Sequence, residues 1–200
     1  MRNKPLYEVR DIENLKQMLE ESAKLYKDNT AYLVKNDKKE YVNIMYPQVL
    51  EDMNALGTAL IDLGLKGKRI AVIGENRYEW AISYLAVING VGVIVPLDKQ
   101  LPQNEIISCM ERAEVDCVIY SGKLQETIDV IAEMEDMASF YINMDLENED
   151  GKYLSLKKLI NKGKELVKSG NSEYINAKID IDDMAELLFT SDVPNGAYKR

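Results

Sequence analysis

The sequence predicts an α/β domain: a mostly parallel sheet covered by helices on both faces in three layers, with a small β-hairpin near the N-terminus. Three observations carry this. Residues 69–73, 92–97, 116–120 and 139–144 are short, nearly continuous apolar runs. Strands apolar on both sides belong in sheets buried on both faces. Stretches with helical spacing of apolar residues separate these runs, and strand–helix alternation favours parallel pairing through crossover helices.

Taken in order, residues 11–26 place Ile12, Leu15, Leu19 and Ala23 at helical spacing until Lys27-Asp28-Asn29 breaks the pattern. Residues 31–34 and 41–44 read as a hairpin around the turn signal Asn36-Asp37. Residues 46–63 form a helix with Pro47 in its first turn, where a missing N–H costs nothing, and Gly64 ends it. Strand 69–73 runs through Gly74-Glu75-Asn76-Arg77 into helix 78–89, which Gly90 closes. Strand 92–97, helix 103–113, strand 116–120, helix 124–137 and strand 139–144 follow. An acidic loop at 145–152 leads to a helix at 154–168 and a final apolar strand at 187–189. With no internal repeat and no low-complexity linker, residues 1–200 are expected to form one α/β unit.

Composition removes several function classes. A net charge of -9 is the wrong sign for binding a nucleic-acid backbone. The absence of histidine rules out a Ser-His-Asp triad or a histidine metal ligand within these residues. Cys109 and Cys117, the only cysteines, read as buried thiols. No apolar stretch is long enough to span a bilayer and no signal peptide is expected, so a cytoplasmic location is, with peripheral membrane contact left open.

Candidate site residues cluster at strand ends. Asn76 suits helix capping and Arg77 an anion, on a turn where α/β sheets often bind ligands. The only tryptophan, Trp80, either anchors its helix or stacks on a ligand. Asp98 reads as a turn residue, and Glu147, Glu149 and Asp150 as a solvated loop. Thr190 and Ser191 follow an apolar strand, where hydroxyls and backbone N–H groups can cradle a phosphate. The Walker and dinucleotide glycine patterns are both absent.

Taken together, Gly74-Glu75-Asn76-Arg77-Tyr78-Glu79-Trp80, Tyr84-Leu85-Ala86, Gly90-Val91-Gly92, Val95-Pro96-Leu97-Asp98 and the stretch from Asp183 to Ser191 resemble the N-terminal portion of AMP-forming acyl-CoA synthetases. These belong to the adenylate-forming enzymes, and the long-chain fatty-acid type is the nearest in pattern. The resemblance implies part of that family's N-terminal fold. It also implies an enzyme that uses ATP and Mg²⁺ to join a carboxylic acid to AMP, then transfers the acyl group to coenzyme A. It makes Thr190 and Ser191 the start of a loop that holds ATP phosphates, and leaves no catalytic or metal-ligating residue to name in these residues. That loop usually reads Thr-Ser-Gly-Thr-Thr-Gly, then two residues and a lysine-glycine pair. Here Asp192 stands where the family has glycine, and Lys199 falls one place beyond the family lysine. Negative charge and a Cβ at residue 192 both oppose phosphate binding.

The resemblance further implies that the family's remaining contacts lie in chain beyond these residues. The unit is therefore expected to be an incomplete domain, inactive alone, with a disordered tail at 192–200. Its partner would be the C-terminal remainder of the ligase, and open strand edges would favour homo-oligomers. Two other readings stay open: a non-catalytic interaction module on the same scaffold, and an unrelated α/β protein with an anion pocket near Asn76 and Arg77.

Overall fold

The computed structural model describes residues 10–36, 38–149 and 151–190. Ser191 and the tail at 192–200 lie outside the described residues.

Helix α1 (Leu15–Leu25) begins at Asn14, whose side chain accepts from Gln17 N (2.9 Å). Strands β1 (Thr30–Lys35) and β2 (Tyr41–Met45) form the expected antiparallel hairpin. Helix α2 (Tyr46–Asp62) starts with Pro47 in its first turn. Then come β3 (Arg69–Ile73), α3 (Tyr78–Ala86), β4 (Val93–Leu97), α4 (Gln103–Ala113), β5 (Cys117–Tyr120), α5 (Gln125–Ile131), β6 (Phe140–Asn143), β7 (Tyr153–Ser155) and α6 (Leu156–Lys168).

The main sheet runs β4-β3-β5-β6-β7, and every named pair is parallel. Alternation along the strands divides the core in two. Ile70, Val72, Ile94, Cys117, Ile119 and Ile142 face a cluster built with α1, α2, α3 and α6. Ala71, Ile73, Val95, Val118, Tyr120 and Tyr141 face one built with α4 and α5. The chain changes face between α3 and α4, where it doubles back across β3, as right-handed crossovers require.

Glycines permit the closest approaches. A Cβ at Gly163 in α6 would lie 1.8 Å from the Ala55 carbonyl oxygen of α2. Tyr174 is fully buried, its ring set against Gly57 and Gly90 and its hydroxyl donating to Ala86 O (2.9 Å). Lys16, only 5% exposed, donates to Tyr174 O (2.7 Å) and Ala177 O (3.0 Å), tying α1 to the segment after α6. Burial lowers the pKa of Lys16, opposed by Glu20.

Several boundaries differ from the sequence reading. Helix α3 stops at Ala86 and gives way to a wider turn over Val87–Val91, where Gly90 takes φ 137°. Helix α5 ends at Ile131 rather than near 137, because Glu133, Glu135 and Asp136 would set negative charge against the helix C-terminus. Strand β7 takes the first two residues of the helix expected at 154–168; it is three residues long, and Ser155 both ends it and caps α6. The acidic loop pins this element, since Ser155 N donates to Glu149 Oε1 (2.9 Å) and Glu147 pairs with Lys157 (3.2 Å). The final strand at 187–189 is reduced to one bridge, Ile94 with Glu186. Cys117 is buried and Cys109 half-buried, both as free thiols. Among the described residues no helix is long and apolar enough to cross a membrane.

Candidate functional site

Because strand order reverses around β3, the crevice outside the carboxyl ends of β3 and β5 is the switch point of the sheet, where open α/β sheets bind ligands. Gly74-Glu75-Asn76-Arg77 enters this crevice from β3, Ser121-Gly122-Lys123 from β5 and Asp145 from the end of β6.

These ends are cross-braced. Arg77 Nε donates to Glu79 Oε2 and its other nitrogen to Asp145 Oδ1, both at 2.6 Å. Asp145 Oδ2 accepts from Gly122 N (2.8 Å), and Asp145 N donates to Asn143 Oδ1 (2.7 Å). Burial disfavours the Arg77 charge, but the bonds to Glu79 and Asp145 outweigh it and raise its pKa. Glu75 pairs with Lys123 (3.2 Å). The hydrogen bond from Ser121, helped by Lys123 and opposed by burial, holds Glu75 down to about 2. One layer below, Gln125 Oε1 accepts from Tyr120 OH and Asn143 Nδ2, both at 2.8 Å.

Asn76, Arg77 and Trp80 come together on a cavity of about 740 Å³ between the hairpin and the start of α3, opposite Tyr32 and Lys35. The capping expected of Asn76 is not found. Arg77 occupies the cap position with extended backbone and no side-chain cap bond, placing Asn76 one residue too early. Trp80 stacks on Tyr84, with ring centroids 5.5 Å apart and planes 15° apart, and packs against the core while also lining the cavity. Tyr78, overlooked in the sequence, donates to Asp52 Oδ2 (2.9 Å), and burial followed by Asp52 raises its pKa. Its signal was its place beside Arg77, but the Asp52 partner is 26 residues away.

Thr190 lies elsewhere. It is exposed and lines a cavity of about 490 Å³ with Asp98, Glu105, Cys109, Arg112 and Phe189. Asp98 shapes the turn there, accepting from Gln100 N through its side chain (2.9 Å). The Arg112 guanidinium sits 5.4 Å from the centre of the Phe189 ring. A phosphate at Thr190 would meet Asp98 and Glu105 as well as Arg112, so the described residues do not by themselves fit ATP. Nor do they bring together three histidine, cysteine or acidic side chains able to hold a metal.

Comparison with known proteins identifies the setting. A family model described as AMP-binding enzyme matches residues 19–191. Fatty acyl-CoA synthetase A of Dictyostelium discoideum is 35% identical over 97 residues, covering 48% of this chain and 14% of that protein. An uncharacterized acyl-CoA ligase of Bacillus subtilis, YtcI, is 27% identical over 164 residues, covering 81% of this chain and 28% of its own. Among solved structures, a long-chain-fatty-acid-CoA ligase (FadD1) from Archaeoglobus fulgidus superposes with TM-score 0.73 at 16% identity, over 90% of this chain and 35% of that one. The chain thus spans well under half the length of these relatives.

Proposed function

This chain belongs to the AMP-binding enzyme family, and we propose that it forms the N-terminal part of a long-chain fatty-acid–CoA ligase. The whole enzyme would activate a fatty acid with ATP and Mg²⁺ to an acyl-adenylate and pass the acyl group to coenzyme A. The observation that carries this reading is the continuous family match over residues 19–191, which includes every strand of the main sheet and ends beside Thr190. The long-chain assignment rests on the names of the fatty acyl-CoA synthetase and ligase relatives and on the sequence pattern around Asn76 to Trp80.

In this proposal Thr190 and Ser191 begin the phosphate loop, and Asn76, Arg77 and Trp80 form a ligand or interdomain surface. ATP would supply the activating phosphates. Its adenine contacts, the Mg²⁺ carboxylate and the coenzyme A site would come from chain beyond these residues, and that remainder is the principal partner. Residues 1–200 act as one incomplete domain in a cytoplasmic enzyme, and alone they self-associate through open strand edges.

Calorimetry with ATP and Mg²⁺, together with a ligase assay on a fatty acid and coenzyme A, tests the proposal. The 200-residue chain is expected to show no saturable heat and no acyl-CoA, while an in-frame coding sequence past Arg200 supplies a nucleotide-binding remainder. Turnover by this chain alone, or a stop codon directly after Arg200, would overturn it.

A further inference from the structure

The cavity of about 740 Å³ between the hairpin and α3 has an aromatic wall whose rings are already held. Tyr32 and Ile44 face each other across β1 and β2, and cross-strand partners share one face of a hairpin. That face packs toward Tyr78 and Trp80. Tyr32 meets Tyr78 edge-on, with ring centroids 5.3 Å apart. Tyr78 is fixed in turn by its bond to Asp52 (2.9 Å), which Lys164 holds from α6 (2.8 Å). Trp80 is braced by its stack on Tyr84. Little ordering is left for a ligand to impose, and the volume lies within the range of roughly 300–1,000 Å³ usual for small-molecule sites.

The polar groups on this wall are not balanced. Its charged residues are Lys35, Arg77 and Glu79. Glu79 is neutralised by Arg77 at 2.6 Å, and Arg77 also holds Asp145. No carboxylate on the wall is left over, whereas donors are in excess. The Lys35 ammonium rests over the Tyr41 ring, 5.2 Å from its centre, and pairs with no carboxylate among the described residues. The Asn76 amide, the Tyr32 hydroxyl and the Trp80 indole N–H have no protein hydrogen-bond partner among them either.

We propose that this cavity binds a small aromatic anion, its ring against Tyr32, Tyr78 and Trp80 and its negative group met by Lys35 and the uncommitted N–H and O–H donors. An aromatic cation would meet the Lys35 ammonium and no spare carboxylate, and a purely aliphatic ligand would leave the donors unpaired. The proposal takes the ligand side of the two roles given to Asn76, Arg77 and Trp80. The cavity shares no lining residue with the one at Thr190, so the site goes beyond the ligase reading and stands or falls apart from it.

Trp80 is the only tryptophan, so its indole N–H gives a single side-chain resonance that reports on the cavity by NMR. The probe is 2-naphthalenesulfonate, which has no carboxyl group for a ligase to activate. On the 200-residue chain it should shift the Trp80 indole and the amides of residues 76–81 saturably, with a Kd of about 1 mM, the efficiency of an ordinary ligand of its size. The Thr190 amide should stay unmoved. 2-Naphthylmethylammonium, the same ring with the opposite charge, should bind at least about tenfold more weakly. Lys35→Glu, at an exposed position, should weaken the sulfonate by about tenfold. Ala81→Leu, which fills the cavity from α3, should do at least as much. Absence of a saturable Trp80 shift up to about 10 mM overturns the proposal. So does equal affinity for the two probes, or wild-type affinity in a folded Lys35→Glu or Ala81→Leu chain. The comparison of the two probes needs no variant and decides the matter even if one fails to fold.

Discussion

Replacing Gly163 by alanine sets two effects of opposite sign against each other. In a helix interior alanine is favoured over glycine by about 0.8–1.0 kcal/mol, so propensity alone would stabilise α6. Packing opposes this, because the new Cβ would lie 1.8 Å from the Ala55 carbonyl oxygen, 2.5 Å from its carbon and 2.9 Å from its Cα. Ordinary contact begins at 3.4 Å, and the obstacle is backbone, which no rotamer change removes. Helix α6 must therefore withdraw from α2 by roughly 1.5 Å, and a gap of 0.5–1 Å already forfeits a quarter to a half of a dispersion contact. Overpacking costs about 1–3 kcal/mol, and an immovable neighbour puts this site at the upper end. Net of propensity, Gly163→Ala should destabilise the chain by about 2 kcal/mol, lowering Tm by about 4–8 °C at this size. Urea and thermal unfolding followed by circular dichroism measure both. Asn161→Ala, on the exposed side of the same helix, gains propensity with no clash and should stabilise by a few tenths of a kcal/mol, roughly 0.5. Gly163→Ala as stable as the wild type, with Asn161→Ala showing its gain, would refute the close packing of α2 on α6.

Tyr174→Phe keeps the ring against Gly57 and Gly90 but removes the bond to Ala86 O, and should cost about 1–2 kcal/mol in urea unfolding; no change would mean that the bond contributes nothing. Glu75→Gln should matter most near neutral pH. Its folded pKa is held down to about 2, so its stabilisation is present above the unfolded value and is lost as pH falls from about 4.5 toward 2. The gap in urea midpoint between wild type and Glu75→Gln should therefore shrink between pH 7 and pH 3, and a constant gap would sink the assignment. Arg77→Ala leaves Asp145 and Glu79 without their shared cation and should destabilise by about 1–2 kcal/mol, whereas Asn76→Ala should stay within about 0.5 kcal/mol. Equal effects in the same unfolding assay would show that the brace at Arg77 is not structural.

The sheet was legible in the sequence because its strands are buried on both sides. Ile70 to Ile73 or Cys117 to Tyr120 cannot be mistaken for a solvated segment, and glycine or polar turns bound each run. The errors fell where tertiary contacts override local pattern. Tyr153 to Ser155 has too few residues for any periodicity, and its strand exists because β6 offers an edge beside it. The early end of α5 depends on charge at a helix terminus, and the single bridge at Glu186 on which atoms Ile94 presents outward. Neither leaves a mark in hydrophobic spacing. Tyr174 was overlooked for the same reason: a tyrosine in a polar stretch after α6 becomes a core residue because distant Gly57 and Gly90 leave it room.

The same distinction decides how the candidate site can recognise a ligand. Sequence position puts Arg77 at the switch point, and an exposed arginine there would be a ready anion contact. Its guanidinium is instead shared by two carboxylates at 2.6 Å, one of them on the turn after β6. Hydrogen bonds to charged groups contribute about 1.5–3 kcal/mol each, so an anion must replace both partners with contacts at least as good before Arg77 adds net affinity. Asn76 carries no such obligation: its side chain makes no hydrogen bond among the described residues, and it lines the same cavity as Trp80. At this cavity Asn76 and Trp80 line the wall, while Arg77 braces the turns after β3 and β6. Thr190 lines a separate cavity at the edge of β4 with Asp98 and Arg112, so the two cavities stand at the carboxyl ends of the neighbouring strands β3 and β4.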